Sequence, residues 1–369
     1  GYYTALSGKF HLGEYVKRGF DDLVVDSESI GDGGEEAWVS ILKNRPKGKP
    51  FFLWYAAHDA HRKWGENRFQ GTHEPESIDP PEYLTQGNRT KKDLAQYYDE
   101  ITRFDHYIGE VVKSLKAQNA FQNTLIIIMS DNGRPFPHSK TRINDRGLKT
   151  PFIIHWPNAI KTKRRFEGLV SAIDIAPTIL DVVGLDIPDY IQGISFKSIL
   201  KENREAFRNF VFGEHNWHDY EAHGRMVRGE RFMYILNSRP NLTLMGPADS
   251  VSSPSQADLD SLYSLGKLTE LQKEIYQFPR PKEELYDLST DPKQYNNLAD
   301  KSEKAEILQK YRAVLKEWME ATGDNVPNNL TKDWYEKRPG YLKTKDHGVR
   351  GEMPGARTNA ININKKGPF

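Results

Sequence analysis

Cysteine is absent from all 369 residues. That excludes disulfides, thiolate metal sites and a cysteine nucleophile among the residues given. A charge excess is missing too: 52 basic residues against 51 acidic ones leave +1. Such a balance offers no electrostatic footprint for nucleic acid or a membrane surface, and the basic run Lys161–Arg165 reads as a solvated loop. No apolar stretch approaches the ~20 residues that a transmembrane helix needs. No signal-peptide pattern is visible, and the chain starts at Gly1 without a methionine. A fragment or a processed chain is therefore expected. The length suits one large domain, or a large one with a small one.

What is present centres on Leu125-Ile-Ile-Ile-Met-Ser-Asp-Asn-Gly133. So short and unbroken an apolar run reads as a strand buried on both faces, in the middle of a parallel sheet. Ligands of such sheets bind beyond the carboxyl ends of the strands. Asp131 and Asn132 stand there, and their oxygens are the hard donors that Ca2+ or Mg2+ takes. A plain Asp-Asn-Gly turn is the competing reading of this stretch alone.

Upstream, a β-type run leads to Gly8-Lys-Phe-His-Leu-Gly13, where Lys9 supplies fixed charge and His11 can move a proton. Pro50–Ala57 reads as a second buried strand that delivers His58-Asp-Ala-His-Arg62 to the same sheet edge. Trp38–Leu42 is helical, and residues 64–90 read as a long loop. From Lys91 to Gln118 the positions Leu94, Tyr98, Ile101, Phe104, Ile108, Val111 and Leu115 keep helical spacing, with the aromatics in the core. Helix followed by parallel strand is the unit of a doubly wound sheet. Residues 174–183 form a helix, with Asp174 as N-cap, Pro177 in the first turn and Gly184 past the end.

Beyond Phe210–His215, a further strand, the pattern changes. Met226–Leu236 reads as a hairpin turning at Gly229. Glu284–Leu288 is a short strand, 237–282 a long insertion, and Ser302–Ala321 an amphipathic helix. The fold class is thus α/β, a doubly wound and mostly parallel sheet with a small C-terminal α+β subdomain. The expected divisions are 1–224, 225–321 and an irregular tail, 322–369.

These stretches together carry a family resemblance. Gly1–Gly13 resembles the second signature of the type I, formylglycine-dependent sulfatases. Phe51–His61 looks like their strand bearing the active-site histidine, and Ser130–Gly133 like their metal-ligand pair. Lys140–Pro151 is similar to their Lys-through-Pro motif, with Asp145 where Glu is usual and Arg146 where Gly is common. Glu284–Pro292 with Asn297-Leu298 resembles their C-terminal signature. The wording of His58–Arg62, Asp131–Lys140 and Gly266–Gln272 is similar to the branch containing N-sulfoglucosamine sulfohydrolase.

The resemblance implies an alkaline phosphatase-like fold and removal of sulfate from a sulfated carbohydrate. It implies Ca2+, with Mg2+ as the alternative, held in part by Asp131 and Asn132. Lys9 and Lys140 would bind sulfate oxygens. His61, with Lys140, would protonate the leaving group, and His11 would take a proton in the second half of the reaction. Arg134, His138, His215, Trp217, His218 and Arg225 are substrate-pocket candidates, since cations beside aromatic surface suit an anionic sugar. A periplasmic, secreted or lysosomal location is implied as well.

One departure matters. The family's Cys/Ser-x-Pro-Ser-Arg motif, whose first residue becomes formylglycine, has no match. Its near echo, Ser252-Ser-Pro-Ser-Gln256, has Gln for Arg and lies far downstream. The paired upstream acidic metal ligands are missing too. The expectation is the larger C-terminal part of such an enzyme, with the nucleophile on a missing N-terminal segment and no turnover from this chain alone. A phosphodiester or phosphonate ester hydrolase of the same superfamily, and a non-catalytic carbohydrate-binding fragment, are the alternatives.

Overall fold

The computed structural model describes residues 1–201, 207–336, 342–343 and 350–363. The chain divides into two compact units, Gly1–Ile126 with Ile154–Asn158, and Ile127–Ile153 with Ala159–Phe369.

In the first unit β1 (Tyr3–Gly8) is flanked by β2 (Asp22–Val24) and β3 (Phe51–Ala56), all parallel. The central strand is the most buried: Ala5, Leu6 and Ser7 have no exposed surface. Its inward residues Tyr3 and Ala5 pack with Ile30 of α1 (Ser27–Ile30) and Ile41 of α2 (Trp38–Asn44). Asp26 caps α1 by accepting from the Ser29 N–H at 2.8 Å, which satisfies one orphan donor of its first turn.

The long helix α3 (Asn88–Ala117) forms where periodicity placed it, but its buried face is not the expected stripe. Leu94 and Leu115 are buried, whereas Ile101 is 39% exposed. Asp93, Asp99, Glu100 and Arg103 are buried instead. Three of these bind the loop that follows β3. Asp93 accepts both terminal nitrogens of Arg62 at 2.6 and 2.7 Å and Trp64 Nε1 at 2.9 Å. Asp99 accepts the Gly71 and His73 N–H groups at 2.8 and 2.9 Å. Glu100 accepts the Gly65 N–H and Asn67 Nδ2 at 3.3 and 3.2 Å. A loop has no ladder for its backbone donors, so buried carboxylates serve in its place.

The strand β4 (Ile126–Met129) pairs with β5 (Phe152–His155), and no other strand of the described residues joins them. All four residues of β4 are half-buried, and Trp54 of β3 is 44% exposed. The residue pattern predicts both runs buried inside a sheet. Apolar, β-branched composition secures the strand conformation, but burial depends on neighbours that composition does not specify.

In the second unit α4 (Asp145–Leu148) is one turn, and α5 (Ile175–Val182) is preceded by a 3-10 turn, Ala172–Asp174. The cap of this helical segment is Ser171 rather than Asp174. The two form a capping box, with Asp174 Oδ2 accepting the Ser171 N–H at 2.9 Å. Asp174 is also held by Arg208 Nε at 2.9 Å, so its buried charge is paired. The short α6 (Lys197–Lys201) follows.

Four antiparallel strands make the main sheet: β6 (Val211–Trp217), β7 (Glu221–Arg228), β8 (Phe232–Asn237) and β9 (Glu283–Asp287). Alternate residues serve opposite faces. Val227, Tyr234 and Leu285 meet Leu308, Tyr311 and Leu315 of α10 (Ala305–Thr322). Met226, Met233, Ile235 and Tyr286 meet Ile143 on the other face. Between β8 and β9 the insertion holds α7 (Ala248–Val251), α8 (Pro254–Ser264) and α9 (Glu270–Lys273). The tail, expected to be irregular, carries a short antiparallel pair, Tyr335–Glu336 with Leu342–Lys343. Tyr335 is 1% exposed and packs in a cluster with Tyr220 and Met245.

The loop after β3 is expected to depend on α3. Asp93→Ala leaves the Arg62 guanidinium buried without its partner, and should cost about 3 kcal/mol in chemical denaturation. It should also expose residues 62–73 to limited proteolysis before the rest of the unit is cut.

Candidate active site

The parallel register decides the geometry of the first unit. Gly8 lies opposite Ala56, so β1 and β3 end level with each other. The Lys9 N–H donates to the Ala56 carbonyl at 2.7 Å and closes the edge. Lys9 and His11 therefore leave the same edge as His58 and His61. The other three act on His58: burial lowers its pKa, and the charges of Lys9, His11 and His61 lower it further. His61 is exposed, and its Nδ1 meets the Arg62 carbonyl. His58, which the sequence reading passed over for His61, belongs to the same group.

The second unit holds the other candidates. Asp131 is exposed just past β4. Asn132 Nδ2 donates to the Gly133 carbonyl at 2.7 Å, which leaves its amide oxygen to act as a ligand. The loop from 131 to 148 is closed by Gly133 N–H on the Gly147 carbonyl at 2.8 Å. A Cβ at Gly133 would stand 2.0 Å from the Arg146 carbonyl, so only glycine allows this approach. Both oxygens of Asp131 and Asn132 suit Ca2+ or Mg2+ in kind. Among the described residues no group of three or more His, Cys, Asp or Glu could hold a metal ion, so these two would form only part of a shell.

Lys140 is buried, and its Nζ donates to Asp249 Oδ2 at 2.7 Å. Asp249 comes from the insertion, 109 residues away in sequence. His138 and Thr141, on either side of Lys140, have φ of 66° and 68°, and Asp219 has 62°. Left-handed backbone costs about 1–2 kcal/mol at a non-glycine residue, and such strain collects at functional sites. The Asp219 carboxyl stays below its usual pKa although burial pushes it up, because His218 and the Ala248 N–H bind it and Lys140 adds its charge. Lys140, His218, Asp219 and Asp249 are thus one cluster.

Other pocket candidates fall differently. His138 is fully buried, its Nδ1 2.8 Å from Glu274 Oε2. Burial drives its pKa down to about 4, against the pull of Glu274. Glu274 also takes Arg142 Nη1 at 3.0 Å. Arg134 offers its carbonyl to the Phe136 and Lys140 N–H groups and is half-buried. His215 meets the Tyr220 ring edge-on at 5.2 Å, and Trp217 meets Trp334 likewise at 5.2 Å. Arg225 has no exposed surface, and Asp324 takes its Nε and Nη2 at 2.6 and 2.8 Å. Its guanidinium is therefore committed inside the protein. Asp249 and Glu274 were not legible in the sequence, because an acidic residue in a long insertion carries no motif.

The serine echo has a structural role. Ser253 Oγ caps α8 by accepting the Gln256 N–H at 3.1 Å, and Ser255 and Gln256 are fully buried. These residues do not fit a formylglycine site.

The parallel strands that release basic groups from one edge, and the strand-end Asp-Asn pair, sit on an alkaline phosphatase-like fold. A solved structure described as being in complex with its substrate D-glucosamine-2-N,6-O-disulfate shares the fold, with a TM-score of 0.60 and 20% identity over 87% of this chain and 80% of that one. The chain fits the sulfatase family. The Sulfatase family model matches residues 35–185, and the N-sulphoglucosamine sulphohydrolase C-terminal model matches residues 138–238. An ulvan-active sulfatase of Formosa agariphila is 34% identical over 69% of this chain and 43% of its own length. The N-sulphoglucosamine sulphohydrolase of Homo sapiens is 27% identical over 88% of this chain and 72% of its own length. The chain thus spans less than half of the first of these relatives. No helix of the described residues is long and apolar enough to cross a membrane.

Arg225→Ala should destabilise the protein by about 3–5 kcal/mol, because it strands the Asp324 carboxylate. Adding Asp324→Ala should recover part of the loss. A double-mutant cycle in urea, read beside the binding of inorganic sulfate, checks that Arg225 acts through folding and not through the ligand.

Proposed function

We propose that this chain serves the hydrolysis of sulfate esters on a saccharide. The observation that carries the reading is the level ending of β1 and β3, which sends Lys9, His11, His58 and His61 out of one sheet edge. Within a sulfatase family member, that edge is where acid–base and anion-binding groups are needed.

The chemistry asks for positive charge on the sulfuryl oxygens and a proton for the leaving oxygen. Lys9 and Lys140 supply fixed positive charge. Asp249 holds the Lys140 ammonium in place until an anion competes for it. His61 is the proton donor of this reading and His11 its partner base. A divalent cation bound through Asp131 and Asn132 would add charge neutralisation at the sulfuryl oxygens. Saccharide contacts fall to His218 and Trp217, which are accessible, rather than to Arg225, which is not. A periplasmic, secreted or lysosomal location accords with this substrate class.

Calorimetry of inorganic sulfate, with and without Ca2+, tests the reading. Lys140→Met should weaken sulfate binding by about 1.5–3 kcal/mol, roughly ten- to a hundredfold, and leave Ca2+ binding unchanged. Asp131→Ala should weaken Ca2+ binding and, through it, sulfate. Phosphate in the same cell provides the contrast: tighter phosphate than sulfate would favour a phosphate or phosphonate ester instead. Sulfate binding indifferent to both substitutions would remove the assignment.

A further inference from the structure

The turn bearing His58 and His61 rests on a buried charge cluster that the proposed chemistry does not use. Arg103 Nε lies 3.2 Å from Asp59 Oδ2 and 3.6 Å from Glu35 Oε2, and its Nη1 lies 3.9 Å from Glu100 Oε2. The side chains are 0–7% exposed, with Glu35 completely buried. Three carboxyls thus face one guanidinium where water does not reach. Glu100 has other donors, the Gly65 N–H and Asn67. Glu35 does not: no N–H or hydroxyl of another described residue donates to its oxygens, and only its own backbone N–H comes near. The Asp59 carboxyl is within its hydrogen-bonding reach, and within that of Glu100 as well. Two carboxyls can hydrogen-bond only if one carries a proton, and crowded buried carboxylates cannot all ionise.

The cluster is tied to the turn through the backbone. The Gly33 carbonyl, two residues before Glu35, accepts the His58 N–H at 2.7 Å, and the His58 carbonyl accepts the His61 N–H at 2.7 Å. The other charged or titratable groups that face it are Glu36 beside Glu35, Tyr107 and Arg68 near the α3 face, and His58 itself. His58 in turn feels Lys9, His11 and His61.

We propose that Glu35 and Asp59 share one proton at neutral pH, and that this pair, braced by Arg103, positions the turn carrying His58 and His61. Glu35 and Asp59 are positioning residues here and touch no substrate. The inference stands on the first unit alone and does not require the sulfatase reading. Burial first, then Glu35 and Glu100, pushes the Asp59 pKa up to about 9. A carboxyl raised in the folded state stabilises fully below its unfolded pKa of ~3.9, and that stabilisation is lost as pH rises towards 9.

Thermal melts from pH 5 to 9.5 on the wild type, Asp59→Asn and Glu35→Gln test this, with NMR of the His58 and His61 rings. The wild-type melting temperature should fall across the window. Asp59→Asn imitates the protonated acid, so it should keep the fold, flatten the slope and melt above the wild type at pH 9. Glu35→Gln should flatten the slope as well, because Asp59 can then ionise against Arg103. The wild-type ring signals should shift again as the cluster loses its proton near pH 9, and the Asp59→Asn signals should not. An Asp59→Asn protein that is less stable at every pH with an unchanged slope would show an ionised Asp59–Arg103 pair and overturn the shared proton. Should Asp59→Asn fail to fold, an unchanged slope in Glu35→Gln overturns it equally. Ring signals blind to the cluster in both proteins would overturn the positioning role.

Discussion

The candidate chemistry is carried on irregular backbone, and irregular backbone has no ladder to satisfy its polar groups. Buried charge does that work in both units. In the first, α3 turns Asp93, Asp99, Glu100 and Arg103 inward and binds the loop from Asp59 to His73. In the second, Asp249 holds Lys140 and Glu274 holds His138 and Arg142. Arg228 adds a contact to Asp145, and Gln294 accepts the Asp145 N–H at 2.8 Å. Remove these anchors and the strands remain while the loops lose their shape.

Such anchoring has consequences for electrostatics. A buried ion pair contributes little net stability, since desolvation offsets attraction, but breaking one is costly. Loops held this way have one low-energy arrangement and few alternatives. The left-handed backbone at His138 and Thr141 is tolerated because Lys140 between them is fixed at its far end by Asp249. The same burial that makes the anchors effective also moves their proton affinities: down for His138, up for Asp59.

Much of the architecture was legible in residue pattern. The strands at Tyr3–Gly8 and Phe51–Ala56, the helices at Asn88–Ala117 and Ala305–Thr322, and the hairpin through Gly229 follow from period and turn chemistry. The burial of α3 was not legible, because its acidic residues look like a solvated face until a loop is laid against them. Nor was the cap at Ser171, since Asp174 suits an N-cap position as well as the third position of a capping box.

By itself the sequence determined the strand ends and the kinds of group found just past them: Lys9, His11 and His61, and the Asp131-Asn132 pair. These are local, and local order along the chain is enough to place a residue at a strand end. Only tertiary structure decided the partners. Asp249 reaches Lys140 across 109 residues and Glu274 reaches His138 across 136. Glu35, Asp59 and Arg103 meet from two loops and a helix far apart in sequence. No periodicity encodes such encounters, because an ion pair depends on where the chain returns in space and not on the residues beside it.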